Sequence, residues 1–335
     1  MKDQMKTKKQ KKFKLFDMNR DGKGVYEVET RKPTLGFFFV LLKRKFTQLL
    51  QLNLLMLFMV IPLLVILGLY LMGTKTPTVT EAAYVPLYGI SQVLPSPSLT
   101  GALDLAGIQM EVPVFSPVMN VVIIVMILFL AVTFGWQNVG ATYVLRGLFR
   151  GDAVFVFSDY FYAIKKNLKQ GFLMGILDFV CSAVLIIDFL FFYFRTGSFG
   201  ADFMYFAIFA IALIYIVMRF YLYNLLITFD LTIPKILKNA LIFTVLGIKR
   251  NVMGFIGLLL LIALHVFLIL LLVPMGISIP IVLPLVYILA IVGFITTYAA
   301  YPVIDRYMIA PYEEERASAY IQSEEDSEPS KEVGD

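Results

Sequence analysis

The sequence predicts an all-α fold: a polytopic bundle of six transmembrane helices with amphipathic helices at the cytoplasmic membrane interface. Hydrophobic residues make up 59% of the 335 residues and charged residues only 16%. A typical soluble domain is about 45–50% apolar and about 25% charged. The apolar residues also form long stretches, and a helix of about 20 such residues crosses the roughly 30 Å hydrocarbon core of a bilayer. The chain is therefore predicted to be a membrane protein.

Six segments meet that length and define a transmembrane domain over 46–310. The predicted spans are 47–72, 117–140, 171–194, 203–227, 253–273 and 277–300. In an alternative, Pro274, Pro280 and Pro284 make a re-entrant break over 274–284, which leaves five spans. That alternative is disfavoured, because it would export the charged C-terminal segment without help from flanking charge.

The distribution of basic residues predicts the orientation. The segment 1–45, a basic tail with an interfacial segment, holds 14 of the 29 Lys and Arg, and the connections 146–170 and 228–252 hold five and four. The outer loop, over about 73–116, holds only one. By the positive-inside rule, both termini are then cytoplasmic. We expect a multi-pass protein of the cell membrane whose acidic C-terminal tail, 311–335, is disordered.

Two basic connections share a pattern that indicates an internal repeat. IKKN at 164–167 and IKRN at 248–251 lie 84 positions apart, and LKRK at 42–45 is a weaker third copy. Apolar residues at helical spacing precede the first two, which is typical of amphipathic helices at a membrane interface. The alternative is a chance match, because Lys and Arg precede outward-going helices in any multispan protein. The predicted interface residues are Lys165, Lys166, Lys169, Lys249 and Arg250.

Two stretches carry a resemblance to a known family. The first span contains LLQLNLLMLFMVIP at 49–62, and 161–169 fits the pattern Phe-x-x-hydrophobic-Lys-x-Asn-hydrophobic-Lys. With these motifs, the chain resembles the YesL family of bacterial integral membrane proteins from residue 13 to about 235. The resemblance implies a five- or six-span protein of a Gram-positive bacterium, encoded beside oligosaccharide uptake systems. It implies no catalytic residues.

Polar side chains at membrane depth are the candidate site. At about 1.5 Å per residue, Asp178 and Arg219 fall in the inner half of the bilayer, where they could pair. Amide side chains predicted at comparable depth are Asn53, Gln137, Asn138 and Asn224. Ionisable groups at this depth are functional candidates by default, and the tentative substrate-binding set is Asp178, Arg219, Asn138 and Asn224. Such a layer could line an inward-facing cavity. For Asn53 and Gln137 the sequence favours hydrogen bonds that join helices, whereas the Asp178–Arg219 pair could equally fix helix register or bind a solute. His265 is predicted to be a packed, neutral residue.

One segment resembles a calcium-binding loop but fails at a ligand. DMNRDGKGVYEVE at 17–29 opens with Asp and Asn at the spacing of an EF-hand loop. The twelfth position needs a bidentate Glu, and here it is Val28. The sequence therefore predicts no metal site and no other cofactor.

These observations favour a protein without chemistry of its own. One His and one Cys offer little material for a catalytic constellation, so we expect no enzyme activity. The first hypothesis is an accessory or assembly component associated with oligosaccharide uptake, with anionic lipids and sugar transporter subunits as partners. The alternative is an autonomous solute transporter that uses the inner polar layer. Nucleic-acid binding is disfavoured, because lipid already explains the juxtamembrane Lys residues.

Overall fold

The computed structural model describes residues 33–77, 111–195, 197–313 and 315. Within these residues, six helices are long and apolar enough to cross a membrane, which confirms the predicted all-α, six-span class. They are α1 (Leu35–Met72), α2 (Pro117–Arg150), α4 (Leu168–Tyr193), α5 (Phe199–Thr228), α7 (Ile248–Leu272) and α9 (Pro284–Ile304). The calcium-loop-like segment at 17–29 lies outside the described residues, as do most of the two predicted tails.

The six helices alternate in direction, so the bundle has two ends. The tail end carries the first and last described residues, and the loop end carries the connections on the other side. Every helix extends past its predicted boundary at the tail end; α2, for example, continues to Arg150. Because α1 begins at Leu35, LKRK at 42–45 lies inside a continuous helix rather than in a separate interfacial segment. The predicted boundary at residue 45 therefore does not correspond to the end of an element.

Two shorter helices lie at the tail end, as predicted: α3 (Val156–Lys166) and α6 (Ile233–Leu246). Each leads directly into a span, since α4 begins at Leu168 and α7 begins at Ile248, 80 residues later. With this offset, the buried residues of α3 match those of α6. The pairs are Val156 with Ile236, Tyr160 with Ala240, and Ala163 with Phe243. The structure thus repeats a unit of interfacial helix plus two spans, one helical turn out of register with the IKKN and IKRN match.

The asparagines of those two motifs nevertheless have similar roles. The side-chain amide of Asn167 donates to the carbonyl oxygen of Ala163 at 3.0 Å, in the last turn of α3. That of Asn251 donates to the carbonyl oxygens of Phe243 and Thr244, in the last turn of α6. The carbonyl oxygens of Ala163 and Phe243 also accept from the backbone N–H groups of the C-cap residues Asn167 and Gly247. Both asparagines therefore stabilise the end of an interfacial helix.

The spans form an inner and an outer set. Taken in chain order, the spans form three pairs: α1 with α2, α4 with α5, and α7 with α9. The second helices of these pairs, α2, α5 and α9, pack against one another in the centre. Around them, α1 packs on α9 and α2, α4 packs on α2 and α5, and α7 packs on α9. The interfacial helix α3 packs on α2, and α6 packs on α5. Each interfacial helix is therefore attached to a central helix.

The closest approach of two spans depends on glycine. A Cβ atom built on Gly135 of α2 would lie 2.0 Å from the carbonyl oxygen of Gly171 and 2.6 Å from the Cα of Gly175, both in α4. GFLMG at 171–175 has the small-x-x-x-small spacing that lets membrane helices pack backbone to backbone. Side chains at these positions would push α2 and α4 apart.

The loop end contains short elements that the sequence did not predict. An antiparallel ribbon of β1 (Thr74–Pro77) and β2 (Glu111–Val114) closes the base of the outer loop. A 3₁₀ turn (Val273–Met275) and the short helix α8 (Ile279–Val282) connect α7 to α9. The proline-rich segment is therefore a turn followed by a sixth span, and the five-span alternative is wrong.

Burial divides the bundle into halves. On the central helices, the buried residues are concentrated toward the tail end: Gly135 to Leu148 of α2, Phe220 to Leu226 of α5 and Phe294 to Ile304 of α9. The loop-side half of each span exposes many large apolar side chains instead. We call these regions the tail-side half and the loop-side half. Buried apolar side chains of the central helices fill much of the tail-side half.

Candidate functional site

The two charged residues predicted to pair at membrane depth do so. Asp178 lies on α4 and Arg219 on α5, and the Nε of Arg219 is 2.9 Å from Oδ1 and 3.1 Å from Oδ2 of Asp178. The Asp178 side chain is completely buried, whereas 34% of the Arg219 side chain is exposed. The ion pair therefore lies at the edge of the tail-side half, with the carboxylate on the inner side.

Hydroxyl groups complete the environment of the carboxylate. Tyr215 donates to Oδ1 of Asp178 at 2.7 Å, and Tyr223 donates to Oδ2 at 2.8 Å. The hydroxyl of Ser182 donates to Oδ1 over a longer 3.5 Å. A buried charge is tolerated when it is paired and its remaining lone pairs are hydrogen-bonded. These five residues form what we call the Asp178 cluster.

Helical spacing explains how the cluster assembles. Tyr215, Arg219 and Tyr223 are each four residues apart, so they line one face of α5. The guanidinium of Arg219 also lies over the ring of Phe134 on α2, with Cζ 5.4 Å from the centroid, in a cation–π arrangement. The cluster thus joins α2, α4 and α5. Sequence reasoning missed its two tyrosines and its serine, although the four-residue spacing around Arg219 and between Asp178 and Ser182 is a readable signal.

The two amides of the tentative substrate-binding set lie outside this cluster. Asn138 donates to the carbonyl oxygen of Phe134 in its own helix at 2.8 Å, and its Nδ2 is 3.9 Å from the sulfur of Met59. Asn224 donates to the carbonyl oxygen of Phe220 at 2.8 Å, and its buried Oδ1 has no partner among the described residues. The structure therefore brings together Asp178 and Arg219 and leaves Asn138 and Asn224 apart from them.

A different amide joins two helices. Asn53 of α1 donates to the carbonyl oxygen of Leu285 at 2.6 Å and accepts from the backbone N–H of Ala290 at 3.1 Å. Both groups belong to α9, so the side chain is inserted into the backbone hydrogen-bonding of a neighbouring span. Gln137 is also buried, and its Oε1 has no partner among the described residues. Asn53 thus has the helix-joining role that the sequence favoured for it.

The single histidine is packed between two spans, as predicted. His265 of α7 is 6% exposed, and its Nδ1 lies 3.2 Å from the hydroxyl of Tyr287 on α9. Its Nε2 is buried without a partner among the described residues. This contact ties α7 to α9 in the loop-side half.

The predicted interface residues lie at the tail end. The side chains of Lys165, Lys166, Lys169 and Lys249 are exposed. Arg250 is partly buried and donates to the carbonyl oxygen of Pro33 at 3.2 Å, so it holds the start of α1. The lysines are therefore the members of the predicted set that project away from the protein.

The arrangement can join helices and present charge, and the described residues offer no ligand set for a metal. No group of three His, Cys, Asp or Glu side chains within them could hold a metal ion. No family model, no curated protein and no solved structure matches this chain. Fold and site define a multi-pass α-helical membrane protein with a polar cluster between three spans.

Proposed function

We propose that the protein is an integral membrane accessory or assembly component of an oligosaccharide-uptake system, without chemistry of its own. The observation that carries this proposal is the saturation of the Asp178 carboxylate. Its two oxygens are engaged by Arg219, Tyr215 and Tyr223. A carboxylate surrounded in this way holds helices together rather than offering a vacant site to a solute. The resemblance to the YesL family supplies the connection to sugar uptake.

The charge distribution supports the placement that we propose in the cell membrane. Basic residues at the tail end would face the anionic cytoplasmic leaflet, so both termini would be cytoplasmic. The large apolar side chains of the loop-side half, such as Phe206 and Leu260, would face lipid or the helices of a transporter subunit.

The proposal is tested by purification from the native host grown on polysaccharide, in a gentle detergent, followed by mass spectrometry. We expect permease or solute-binding subunits to copurify in near-stoichiometric amounts. Cells grown on a simple sugar provide the control, since uptake subunits should be depleted there. Recovery of a homogeneous protein without any uptake component under both conditions would overturn the proposal.

A second candidate is an autonomous solute transporter, and the exposure of Arg219 favours it. One third of this side chain is accessible at the border of the loop-side half, where a solute could contact it. Liposomes containing the purified protein would be tested with labelled di- and trisaccharides. Transport through this site predicts that Arg219→Gln abolishes flux while Asp188→Asn, near the loop end of α4, leaves it intact. Equal flux in the wild type, Arg219→Gln and Asp188→Asn would show that solute does not pass through the Arg219 site.

A further inference from the structure

The exposed face of α3 carries a shallow, open groove at the tail end of the bundle, lined by side chains of this helix. Its lining residues are Phe157, Ser158, Phe161, Tyr162 and Lys165. Because α3 packs on α2 and leads into α4, the groove lies beside the tail-side ends of these two spans. It therefore combines apolar and polar side chains where a span is expected to meet lipid headgroups.

The helix that carries the groove is firmly seated. Its opposite face buries Tyr160, whose ring packs on Gly140 of α2 so closely that a Cβ there would lie 2.8 Å from the ring. The ring of Tyr162 lies 5.9 Å from that of Tyr143, centroid to centroid. At the start of the helix, Asp159 accepts a hydrogen bond from the backbone N–H of Phe155 at 2.8 Å. The helix that carries the lining residues is thus fixed against α2, and the ring of Tyr162 packs beside that of Tyr143.

The polar groups of the groove are all capable of donating hydrogen bonds. Lys165 has an ammonium group, and Ser158 and Tyr162 have hydroxyls, none of which has a partner among the described residues. Lys166 and Lys169 add two exposed positive charges nearby. Ammonium and hydroxyl donors without a carboxylate among them suit the oxygens of a phosphate group.

Two exposed aromatic rings form the apolar part of the groove. Phe157 and Phe161 are each 50% exposed, and they lie four residues apart on the same face as Lys165. Apolar side chains beside a cationic head allow a helix to contact acyl chains while its charge reaches the interface. Hydrogen-bond donors for a phosphate group, together with an aromatic surface for an acyl chain, match a phospholipid better than a free phosphate ion.

We propose that this groove binds one anionic phospholipid, with its phosphate on Lys165, Ser158 and Tyr162 and an acyl chain along Phe157 and Phe161. The site requires neither of the functions proposed above. It would fix a lipid against α3 and thereby anchor the end of the α2–α4 pair in the membrane interface.

The repeat supplies an internal comparison. At an offset of 80 residues, Tyr162 and Lys165 of α3 correspond to Ile242 and Val245 of α6. Both α6 side chains are exposed, but they are aliphatic and offer no donor to a headgroup. At the same offset, the exposed Lys238 corresponds to Ser158, and the exposed Lys235 corresponds to Phe155, which does not line the groove. The two helices thus share a position at the interface and differ in the chemistry of this groove.

The test compares charge removal in the two helices. Full-length protein in detergent, freed of lipid, is titrated with phosphatidylglycerol, and bound lipid is counted by native mass spectrometry. We expect Lys165→Gln to weaken binding about fivefold, the effect of one interfacial Lys. We expect Lys235→Gln, whose counterpart in α3 lies outside the groove, to leave binding unchanged. We also expect phosphatidylcholine to bind more weakly and millimolar inorganic phosphate to compete poorly. Unchanged melting temperatures without lipid would show that both variants fold.

Three results would overturn the proposal. Equal losses in Lys165→Gln and Lys235→Gln would mean that overall charge attracts the lipid, and no loss in Lys165→Gln would show that the groove does not bind it. Displacement of the lipid by inorganic phosphate would identify a phosphate-ion site instead. Since Lys165 is exposed, its substitution leaves the packing of α3 on α2 intact.

Discussion

The tail-side and loop-side halves of the bundle are built from the same six helices but are held together differently. The tail-side half contains the glycine contact between Gly135 and Gly175 and the Asp178 cluster. The loop-side half consists mainly of exposed apolar side chains. Its polar contacts between spans, among the described residues, are those of Asn53 with the first turns of α9 and of His265 with Tyr287. The charged and close backbone contacts between spans are thus concentrated at one end.

The difference shows what determines helix association in a membrane. Lipid chains are as apolar as Leu, so apolar side chains alone provide little drive for helices to associate. Close backbone approach and hydrogen bonds between helices must supply it, and both are concentrated in the tail-side half. The loop-side half is then free to contact lipid or the helices of another protein. Three pairs of substitutions test this comparison. Each pair has one substitution in the tail-side half and a control in the loop-side half.

The largest effect is expected for Asp178→Asn. Removal of the carboxylate leaves the Arg219 guanidinium without its counter-charge between α4 and α5, and loss of one partner of a buried pair costs about 3–5 kcal/mol. We expect a free energy of unfolding lower by about 3 kcal/mol, measured by reversible denaturation in mixed micelles. Asp188→Asn, on the same helix but without a bonded partner among the described residues, should change it by less than about 0.5 kcal/mol.

The double variant Asp178→Asn with Arg219→Gln sharpens this prediction. It removes both charges, so part of the stability lost in Asp178→Asn should return. Similar losses for Asp178→Asn and Asp188→Asn would contradict the proposed difference between the halves.

A smaller loss is expected for Gly135→Ala. The added methyl group would meet the backbone of Gly171 and Gly175, which cannot rotate away, and overpacking of this kind costs about 1–3 kcal/mol. Gly68→Ala in the loop-side half of α1 is the control, because a Cβ there meets nothing within 4 Å. The same denaturation assay should show destabilisation for Gly135→Ala alone. If both variants unfold like the wild type, the α2–α4 contact is not a determinant of stability.

The spans and their number were predictable because each is a long apolar stretch, a signal that depends on composition alone. The ends of the spans were not. Helices continue through polar residues outside the hydrocarbon, as α2 does through Arg146 to Arg150, and hydropathy does not register that continuation. The ribbon of β1 and β2 also escaped prediction, since its strands are only four residues long.

The site was partly predictable for a similar reason. Counting residues along helices places Asp178 and Arg219 at one depth, so their pairing could be anticipated. The same count placed Asn138 and Asn224 at that depth, but each faces elsewhere and donates to its own helix. Depth fixes one coordinate of a side chain, whereas the rotation of its helix is set by contacts such as Gly135 with Gly175. Those contacts are tertiary and are not encoded in hydropathy.

The smallest effect concerns a single hydroxyl group within α5. Tyr223→Phe keeps the ring but removes the 2.8 Å hydrogen bond to Oδ2 of Asp178, and hydrogen bonds between membrane helices average about 0.6 kcal/mol. We expect a loss of about that size. Tyr205→Phe is the matched control in the loop-side half of the same helix, where the tyrosine makes ring contacts with Phe189 and Tyr193.

Both variants would be measured in the denaturation assay together with their Asp178→Asn combinations. In the Asp178→Asn background, Tyr223→Phe should cost less than it does alone, because the bond it removes goes to the carboxylate. Tyr205→Phe should behave alike in both backgrounds. A constant cost for Tyr223→Phe would mean that its hydroxyl does not act through Asp178, and that the ion pair and the Tyr215 hydroxyl join α4 to α5 without it.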